Sequence, residues 1–276
     1  MVKFSPGSAK SLAALEGKSH GPRCMLIPLY DDNPVRRISY AYVNWALIAA
    51  NVLIYAVVQS GFVMSVETAE NASVSYGMIP VILFETMRLP DEFIAIPSWA
   101  TPVTSSFLHG SWMHLAGNML FLWVFGDNVE DDLGHVRYLL FYAACAALAA
   151  LAHAWAMPES TSPLIGASGA VSGVVAAYVL LHPNVKLWVL ILFRVPVKLK
   201  AMWAIGAWIV FQAVNAYIAD VEDDTAWFAH IGGLVAGAVL VLLLKRADAP
   251  LFDRSSLPLT ASEAGPPTRD PDSSLR

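Results

Sequence analysis

The stretch TAWFAHIGGLVAGAVLVLLL, residues 225–244, holds no Asp, Glu, Lys or Arg. A helix needs about 18 such apolar residues to cross the hydrocarbon core of a bilayer. Five more charge-free runs reach this length, at 38–66, 93–126, 138–158, 160–185 and 201–219. The 276-residue chain is 57% hydrophobic and only 14% charged. This composition predicts an all-α polytopic membrane protein with six transmembrane helices, and it excludes a disordered chain, a nucleic-acid-binding protein and an ordinary cytosolic enzyme.

The distribution of positive charge predicts how the chain is oriented. With the N-terminus inside, sixteen of the 17 Lys and Arg residues lie on the inner side, and Arg88 is the exception. Cytoplasmic segments carry an excess of these residues, so we expect both termini in the cytoplasm. The predicted spans are 40–60, 113–127, 137–157, 168–182, 201–219 and 226–244.

Three regions follow along the chain. We expect a polar cytoplasmic arm at 1–37 whose first 24 residues form a flexible extension, a six-helix domain at 38–245, and a disordered cytoplasmic tail at 246–276. The segment 187–199 is too short and too basic to cross, which predicts an interfacial position. The long outer segment 61–112 is rich in aromatic residues and is also expected at the interface.

Four polar side chains interrupt the predicted spans: His114, Asn118, Ser168 and His230. Polar groups inside a membrane are costly and mark candidate functional positions. For His114 and Asn118, which are four residues apart on one helix face, hydrogen bonding between helices is an equally good explanation. A lone Ser in a span most often bonds back to its own helix.

Small residues suggest that spans 4 and 6 pack closely. Gly169 and Gly173 in span 4, and Gly233 and Gly237 in span 6, repeat at a spacing of four residues. Matching small faces of this kind let two helix backbones approach each other. Packing through these faces would bring His230 within reach of Ser168.

Counting residues places the polar groups at one depth. Ser168 precedes Pro183 by 15 residues, and His230 precedes Lys245 by 15 residues. At about 1.5 Å per residue, both lie roughly 22 Å above the inner boundary. Span 4 is then too short to cross, so residues 158–167 are expected as irregular backbone lining a water-accessible cavity.

This combination suggests nucleophilic catalysis. Ser168 follows Gly166 at a helix N-terminus, where backbone amides favour negative charge. We interpret His230 as the general base that activates Ser168 for attack on a peptide carbonyl. The Ser168 N–H, His114 and Asn118 would donate hydrogen bonds to the oxyanion. Apart from Asp127 at the inner end of span 2, spans 2, 4 and 6 contain no acidic residue, so a Ser–His dyad is expected rather than a triad.

Three motifs in this order, HGSWMHLAGN (109–118), GASG (166–169) and AHIGGLVAG (229–237), resemble the rhomboid family of intramembrane serine proteases. The resemblance covers about 38–245 and implies a six-helix bundle, a Ser168–His230 dyad, oxyanion donors at His114 and Asn118, and no cofactor. It also implies that the substrates are transmembrane proteins cleaved near the outer membrane face.

Further features are implied by the same resemblance. The segment 61–112 resembles the family's first loop, 219–226 resembles its mobile cap, and Gly126 with Glu130 resembles a structural motif. One position departs from the family pattern. Some members carry a Tyr there, which stacks on the catalytic histidine, whereas this chain has Ser172. Support for the His230 ring must therefore come from another residue.

Other interpretations remain open. A catalytically inactive rhomboid-like protein that binds membrane clients is the main alternative, and a channel or transporter is the second. No metal site is expected, because five residues turn a helix by about 500° and His109 would not share a face with His114. We expect a bilayer and transmembrane substrates as partners, no nucleic acid, and a bacterial plasma membrane as the location. The sequence makes no prediction of the oligomeric state.

Overall fold

A computed structural model describes residues 26–191, 194–218 and 226–253. This part of the chain is mostly helical, which confirms the predicted helical membrane bundle. The α-helices are α1 (Tyr42–Ile54), α2 (Val66–Tyr76), α3 (Pro80–Leu83), α4 (Thr101–Thr104), α5 (Trp112–Phe121), α6 (Asp127–Leu133), α7 (His135–Ala156), α8 (Ser168–Leu181), α9 (Ala201–Ile218) and α10 (Trp227–Leu244). Two π-helical segments, Tyr55–Gln59 and Leu122–Gly126, extend α1 and join α5 to α6. Short 3₁₀ turns lie at Asp91–Phe93, Ser98–Ala100 and Ser105–Phe107.

Within the described residues, four helices are long and apolar enough to cross a membrane: Tyr42–Gln59, His135–Ala156, Ala201–Ile218 and Trp227–Leu244. The apolar helix α8 has 14 residues and agrees with the short fourth span expected from the sequence. The second predicted span corresponds to α5 and its continuation. The count of six spanning helices stays a prediction.

The second span extends further than the sequence suggested. We predicted its end at Asp127, where charged residues begin, but α6 continues to Leu133. Two of its acidic side chains, Glu130 and Asp131, are buried where backbone amides of the first turn of α1 and of the residues before it bind them. Glu130 accepts hydrogen bonds from the N–H groups of Val43 at 3.1 Å and Asn44 at 2.7 Å. Asp131 accepts from the N–H groups of Arg36, Arg37 and Ile38 at 2.6–3.0 Å.

A small antiparallel sheet, which the all-α prediction lacks, covers the inner end of the bundle. Its strands are β1 (Leu26–Asp31), β2 (Lys186–Ile191) and β3 (Val195–Lys200), in the order β1-β2-β3. Leu187 and Val189 of β2 are buried against the bundle. The predicted interfacial segment 187–199 thus forms most of a hairpin, and the end of the predicted arm 1–37 pairs with it as β1. The boundary between arm and domain at residue 38 stays a prediction.

Residues 246–253, the first part of the predicted disordered tail, are bonded to the bundle. Arg246 N–H donates to the Asp132 carbonyl at 2.9 Å, and Phe252 and Asp253 donate to the carbonyls of Leu180 and Leu181 at 2.8 Å. These bonds satisfy carbonyls at the ends of α6 and α8, which explains why 246–253 are ordered. The rest of the predicted tail, the predicted extension 1–24, and all of the predicted cap except Ala226 lie outside the described residues.

Helices α8 and α10 pack with their backbones in contact. A Cβ atom added at Gly173 would lie 2.5 Å from Cys145 Sγ and 3.2 Å from the Gly233 carbonyl oxygen. Added at Gly233 or Gly237, it would overlap the backbone of Gly169 or Gly173. This contact fixes the start of α8 beside the start of α10.

The outer segment 61–112 is only partly folded onto the bundle. Met78 and Leu164 exchange two backbone hydrogen bonds of 3.1 and 2.8 Å, which tie this segment to the chain before α8. Phe62 and Trp99 remain 82% and 76% exposed. Exposed aromatic side chains on this side suit the membrane interface.

Candidate active site

Ser168 is the first residue of α8, at the end of an irregular segment. Residues 158–167 form no helix or strand apart from one isolated bridge, as predicted from the sequence. Gly166 adopts φ +125°, which L side chains rarely adopt, and its N–H donates to the Ser105 carbonyl at 2.9 Å. The glycine therefore permits a sharp turn that aims Ser168 into the space above α8.

His230 lies in the first turn of α10 and contacts this serine directly. Its Nε2 atom is 2.8 Å from Ser168 Oγ, a hydrogen-bonding distance. The two residues are 62 positions apart in the chain, and the glycine contact between α8 and α10 brings them together. A serine hydroxyl bonded to an imidazole nitrogen is the arrangement that a nucleophile and its general base require.

The other nitrogen of His230 is also engaged. Gln212 of α9 places its side-chain amide nitrogen 3.2 Å from His230 Nδ1. Trp227 meets the ring edge-on, with centroids 5.9 Å apart and planes at 85°. Ser172 takes no part in holding the ring, because its hydroxyl donates back to the Ser168 carbonyl at 2.7 Å.

His114 faces the space beside Gly166. Its backbone N–H is capped by the Ser111 hydroxyl at 3.1 Å, which fixes the start of α5. A Cβ atom added at Gly166 would lie 2.6 Å from His114 Nε2 and 3.8 Å from Ser168 Oγ. The missing side chain at Gly166 thus leaves room between the histidine ring and the serine hydroxyl.

Asn118 is buried and makes a contact that was not predicted from the sequence. Its amide nitrogen is 3.0 Å from Nε2 of His109. The rings of His109 and His114 meet at 5.1 Å and 70°. The argument that these two histidines do not share a helix face does not apply, because His109 precedes α5 and lies outside the helical rotation.

The structure also locates the predicted structural pair Gly126 and Glu130. A Cβ atom added at Gly126 would overlap the side chain of Asn44, which donates to the Leu122 carbonyl at 2.9 Å. Glu130 binds the first turn of α1 and the His135 ring. Both residues lie at the inner end of the bundle, away from Ser168.

A family model described as the Rhomboid domain matches residues 97–247, more than half of the chain. The chain belongs to the rhomboid family. It is 32% identical to Rhomboid-like protein 11, chloroplastic, of Arabidopsis thaliana over 169 residues, which is 57% of each chain. It is 31% identical to Rhomboid protein 1, mitochondrial, of Saccharomyces cerevisiae over 149 residues, covering 52% of this chain and 42% of the relative.

A bacterial relative is similar to the same extent. The rhomboid protease GluP of Bacillus subtilis is 31% identical over 161 residues, covering 58% of this chain and 29% of the relative. In all three alignments the chain spans less than two thirds of the relative's own length.

Two residues of this rhomboid site were missed in the sequence. Gln212 is a polar residue inside the apolar run 201–219, and the criterion that singled out the other four would have found it. His109 lies outside the predicted helix and was set aside. In the described part of this rhomboid, no group of three or more His, Cys, Asp or Glu side chains is arranged to hold a metal ion.

Proposed function

We propose that this rhomboid-family chain is an intramembrane serine endopeptidase that cleaves transmembrane proteins near the outer membrane face. The observation that carries the proposal is the 2.8 Å contact between Ser168 Oγ and His230 Nε2 at the N-terminus of α8. One matched relative, GluP, carries the word protease in its name.

In the proposed mechanism, His230 Nε2 takes the hydroxyl proton as Ser168 Oγ attacks the scissile carbonyl carbon. The protonated ring then gives this proton to the leaving amine, and an acyl-enzyme remains. Water, deprotonated by His230, attacks the ester carbonyl and releases Ser168 with its proton restored.

The carbonyl oxygen becomes negative in both steps and needs hydrogen-bond donors. We assign this role to the Ser168 N–H, which as the first amide of α8 has no partner within the helix, and to His114 beside the space at Gly166. Asn118 is the third donor that we propose; its amide carries two N–H groups, so one can bind His109 and the other the substrate. Each such donor typically contributes about 10²–10³ in rate.

We propose that a gap between α5 and α9 admits a transmembrane substrate. A Cβ atom added at Gly117 of α5 meets no heavy atom within 4 Å. Deeper in the bundle, Phe121 of α5 and Trp208 of α9 meet through their rings at 5.7 Å. A substrate helix that unwinds at this gap would present its backbone to Ser168 from the lipid side.

A catalytically inactive rhomboid-like protein that binds membrane clients is the alternative. Such a protein has no need for a hydroxyl hydrogen-bonded to an imidazole, and this chain keeps that pair. A channel or transporter would need polar residues continuing to the inner face between the helices. Below Ser172, the buried side chains of α8 are apolar as far as Tyr178.

We further propose that both termini lie in the cytoplasm and that the membrane is a bacterial plasma membrane. Sixteen of the 17 Lys and Arg residues support the orientation. Relatives named as chloroplastic and mitochondrial match as well as the Bacillus protein does, so membrane fractionation of the source cells tests the location.

Cleavage in liposomes tests the proposed activity. The purified protein is mixed with a single-span substrate whose helix carries a helix-breaking residue near its outer end, and the products are sequenced. We expect wild type and Ser172→Ala to cleave it, and Ser168→Ala and His230→Ala to leave it intact. Cleavage by Ser168→Ala at the wild-type rate would show that another residue is the nucleophile.

A further inference from the structure

The Gln212 side chain is the hydrogen-bond partner of the catalytic histidine on the side away from Ser168. It projects from α9, a helix at the edge of the bundle where Trp203, Val210 and Tyr217 are 63–91% exposed. Gln212 itself is only 3% exposed. Its amide reaches His230 Nδ1 at 3.2 Å, across from the 2.8 Å contact of Nε2 with Ser168.

Within the described residues, no other side chain bonds to His230 Nδ1. Trp227 packs edge-on, and the hydroxyl of Ser172 is used within α8. The titratable neighbours from the packed helices are His114 and His153, and neither is hydrogen-bonded to the ring within the described part of the chain. Gln212 therefore occupies the place that an aspartate holds in a Ser-His-Asp triad.

The chemistry decides which end of the amide must face the ring. For Nε2 to accept the Ser168 proton, a neutral His230 must carry its own proton on Nδ1. An N–H at Nδ1 needs an acceptor, and the Gln212 carbonyl oxygen supplies one after a half-turn of the amide. The amide oxygen and nitrogen have nearly the same shape, so this rotation keeps the packing.

We propose that Gln212 is a positioning residue that holds His230 in the tautomer whose Nε2 is basic, and that its carbonyl dipole stabilises the protonated ring formed during acyl transfer. This inference rests on the proposed protease function. Gln212 belongs to α9, the helix beside the proposed substrate gap. A bound substrate helix that displaces α9 would therefore also displace the hydrogen-bond partner of His230.

The test measures the rate at which a serine-directed phosphonate inactivates the protein in detergent, as a function of pH. Gln212→Met keeps the length of the side chain and removes the acceptor. We expect its inactivation to be about tenfold slower, because His230 Nδ1 loses its hydrogen-bond partner and the wrong tautomer then competes. Asn215→Leu is the matched control, because Asn215 is buried one turn away and, among the described residues, its side chain bonds to the Phe211 carbonyl of its own helix at 2.7 Å.

Gln212→Glu gives the second readout. A carboxylate keeps the acceptor and favours the protonated ring, so the rate at high pH is retained and the acidic limb of the pH profile moves to higher pH. A purely structural role for Gln212 would lower stability without moving this limb. If Gln212→Met does not fold, the Gln212→Glu profile alone decides.

The outcomes separate the two proposals. Wild-type inactivation rates in Gln212→Met, or an unmoved acidic limb in Gln212→Glu, would overturn the role of Gln212. The protease proposal would stand in that case, provided that labelling still depends on Ser168. If wild type shows no labelling beyond that of Ser168→Ala, the protease proposal fails and the role of Gln212 fails with it.

Discussion

The absence of a side chain at Gly166 is as important to the site as the side chains themselves. Its φ of +125° suits glycine, and the space that a Cβ would fill lies between His114 and Ser168. A methyl group there would be 2.6 Å from His114 Nε2. The position thus combines a backbone requirement with an open space for the substrate oxygen.

Gly166→Ala is expected to lower cleavage at least 100-fold, since it displaces His114 from the proposed oxyanion site. The strained backbone should also lower the free energy of unfolding by about 1–3 kcal/mol. Kinetics on a transmembrane substrate and thermal unfolding in detergent measure both effects. Gly134→Ala is the matched control, because Gly134 also has a positive φ, +83°, but lies at the inner end of the bundle, where the nearest atom to an added Cβ is Arg246 Nη1 at 4.0 Å. Its stability should fall while cleavage is retained. Equal activity of the two variants would show that the site does not require a glycine at position 166.

At the residue scale, the sequence predicted the site in part. Ser168 and His230 were predictable because each is a polar residue in an apolar run beside glycines. Gln212 shares that first property, but its relation to His230 depends on how α9 packs against α10. His109 was not predicted as part of the site, because its backbone is not helical and its spacing from His114 in the sequence does not show this.

At the scale of elements, the contact between α8 and α10 determines the separation of Ser168 and His230. Each helix presents glycines to the backbone of the other, and α7 adds Cys145 against Gly173 at the same level. Close backbone contact of this kind is driven by van der Waals packing in lipid. The geometry of the site therefore depends on residues one and two turns away from it.

Gly237→Ala tests this dependence, since its methyl group would overlap the Gly173 backbone. We expect a loss of about 1–3 kcal/mol in stability from overpacking, and slower phosphonate labelling as His230 moves away from Ser168. Thermal unfolding in detergent and labelling rates measure the two effects. Gly206→Ala on α9 is the matched control, because its methyl group meets no atom within 4 Å. Unchanged stability of Gly237→Ala would contradict the packing described.

The elements themselves were predictable to different degrees. Runs of apolar residues located the long helices to within a few residues. The β-sheet was not predicted, because β1 and β2 are more than 150 positions apart and their pairing depends on the folded bundle. The extension of α6 was not predicted either, because its carboxylates are stabilised by amides from residues more than 80 positions away.

At the scale of the whole molecule, a buried polar junction joins the sheet to the bundle. Asp31, in β1, accepts hydrogen bonds from the Tyr178 hydroxyl at 2.6 Å and from the Asn128 amide at 3.1 Å. Burial raises the pKa of Asp31 to about 7. Between about pH 4 and 7, the folded state therefore keeps a proton that the unfolded state has lost, so this group favours folding less as pH rises through that window.

Asp31→Asn should remove this contribution. We expect the difference in melting temperature, wild type minus variant, to fall by several degrees between about pH 4.5 and 7.5. Taking the difference cancels the titration of the histidines, which both proteins share. The measurement is thermal unfolding in one detergent at a series of pH values. A difference that stays constant across this range would show that Asp31 keeps its ordinary pKa.

The most direct test of the whole account is where a serine-directed phosphonate attaches. Wild type, Ser168→Ala and Ser172→Ala are treated in detergent, and the adduct is located by peptide mass spectrometry. We predict one adduct on Ser168 in wild type and in Ser172→Ala, and none in Ser168→Ala. An adduct on another residue, or equal labelling of Ser168→Ala, would contradict the assignment of Ser168 as the nucleophile activated by His230.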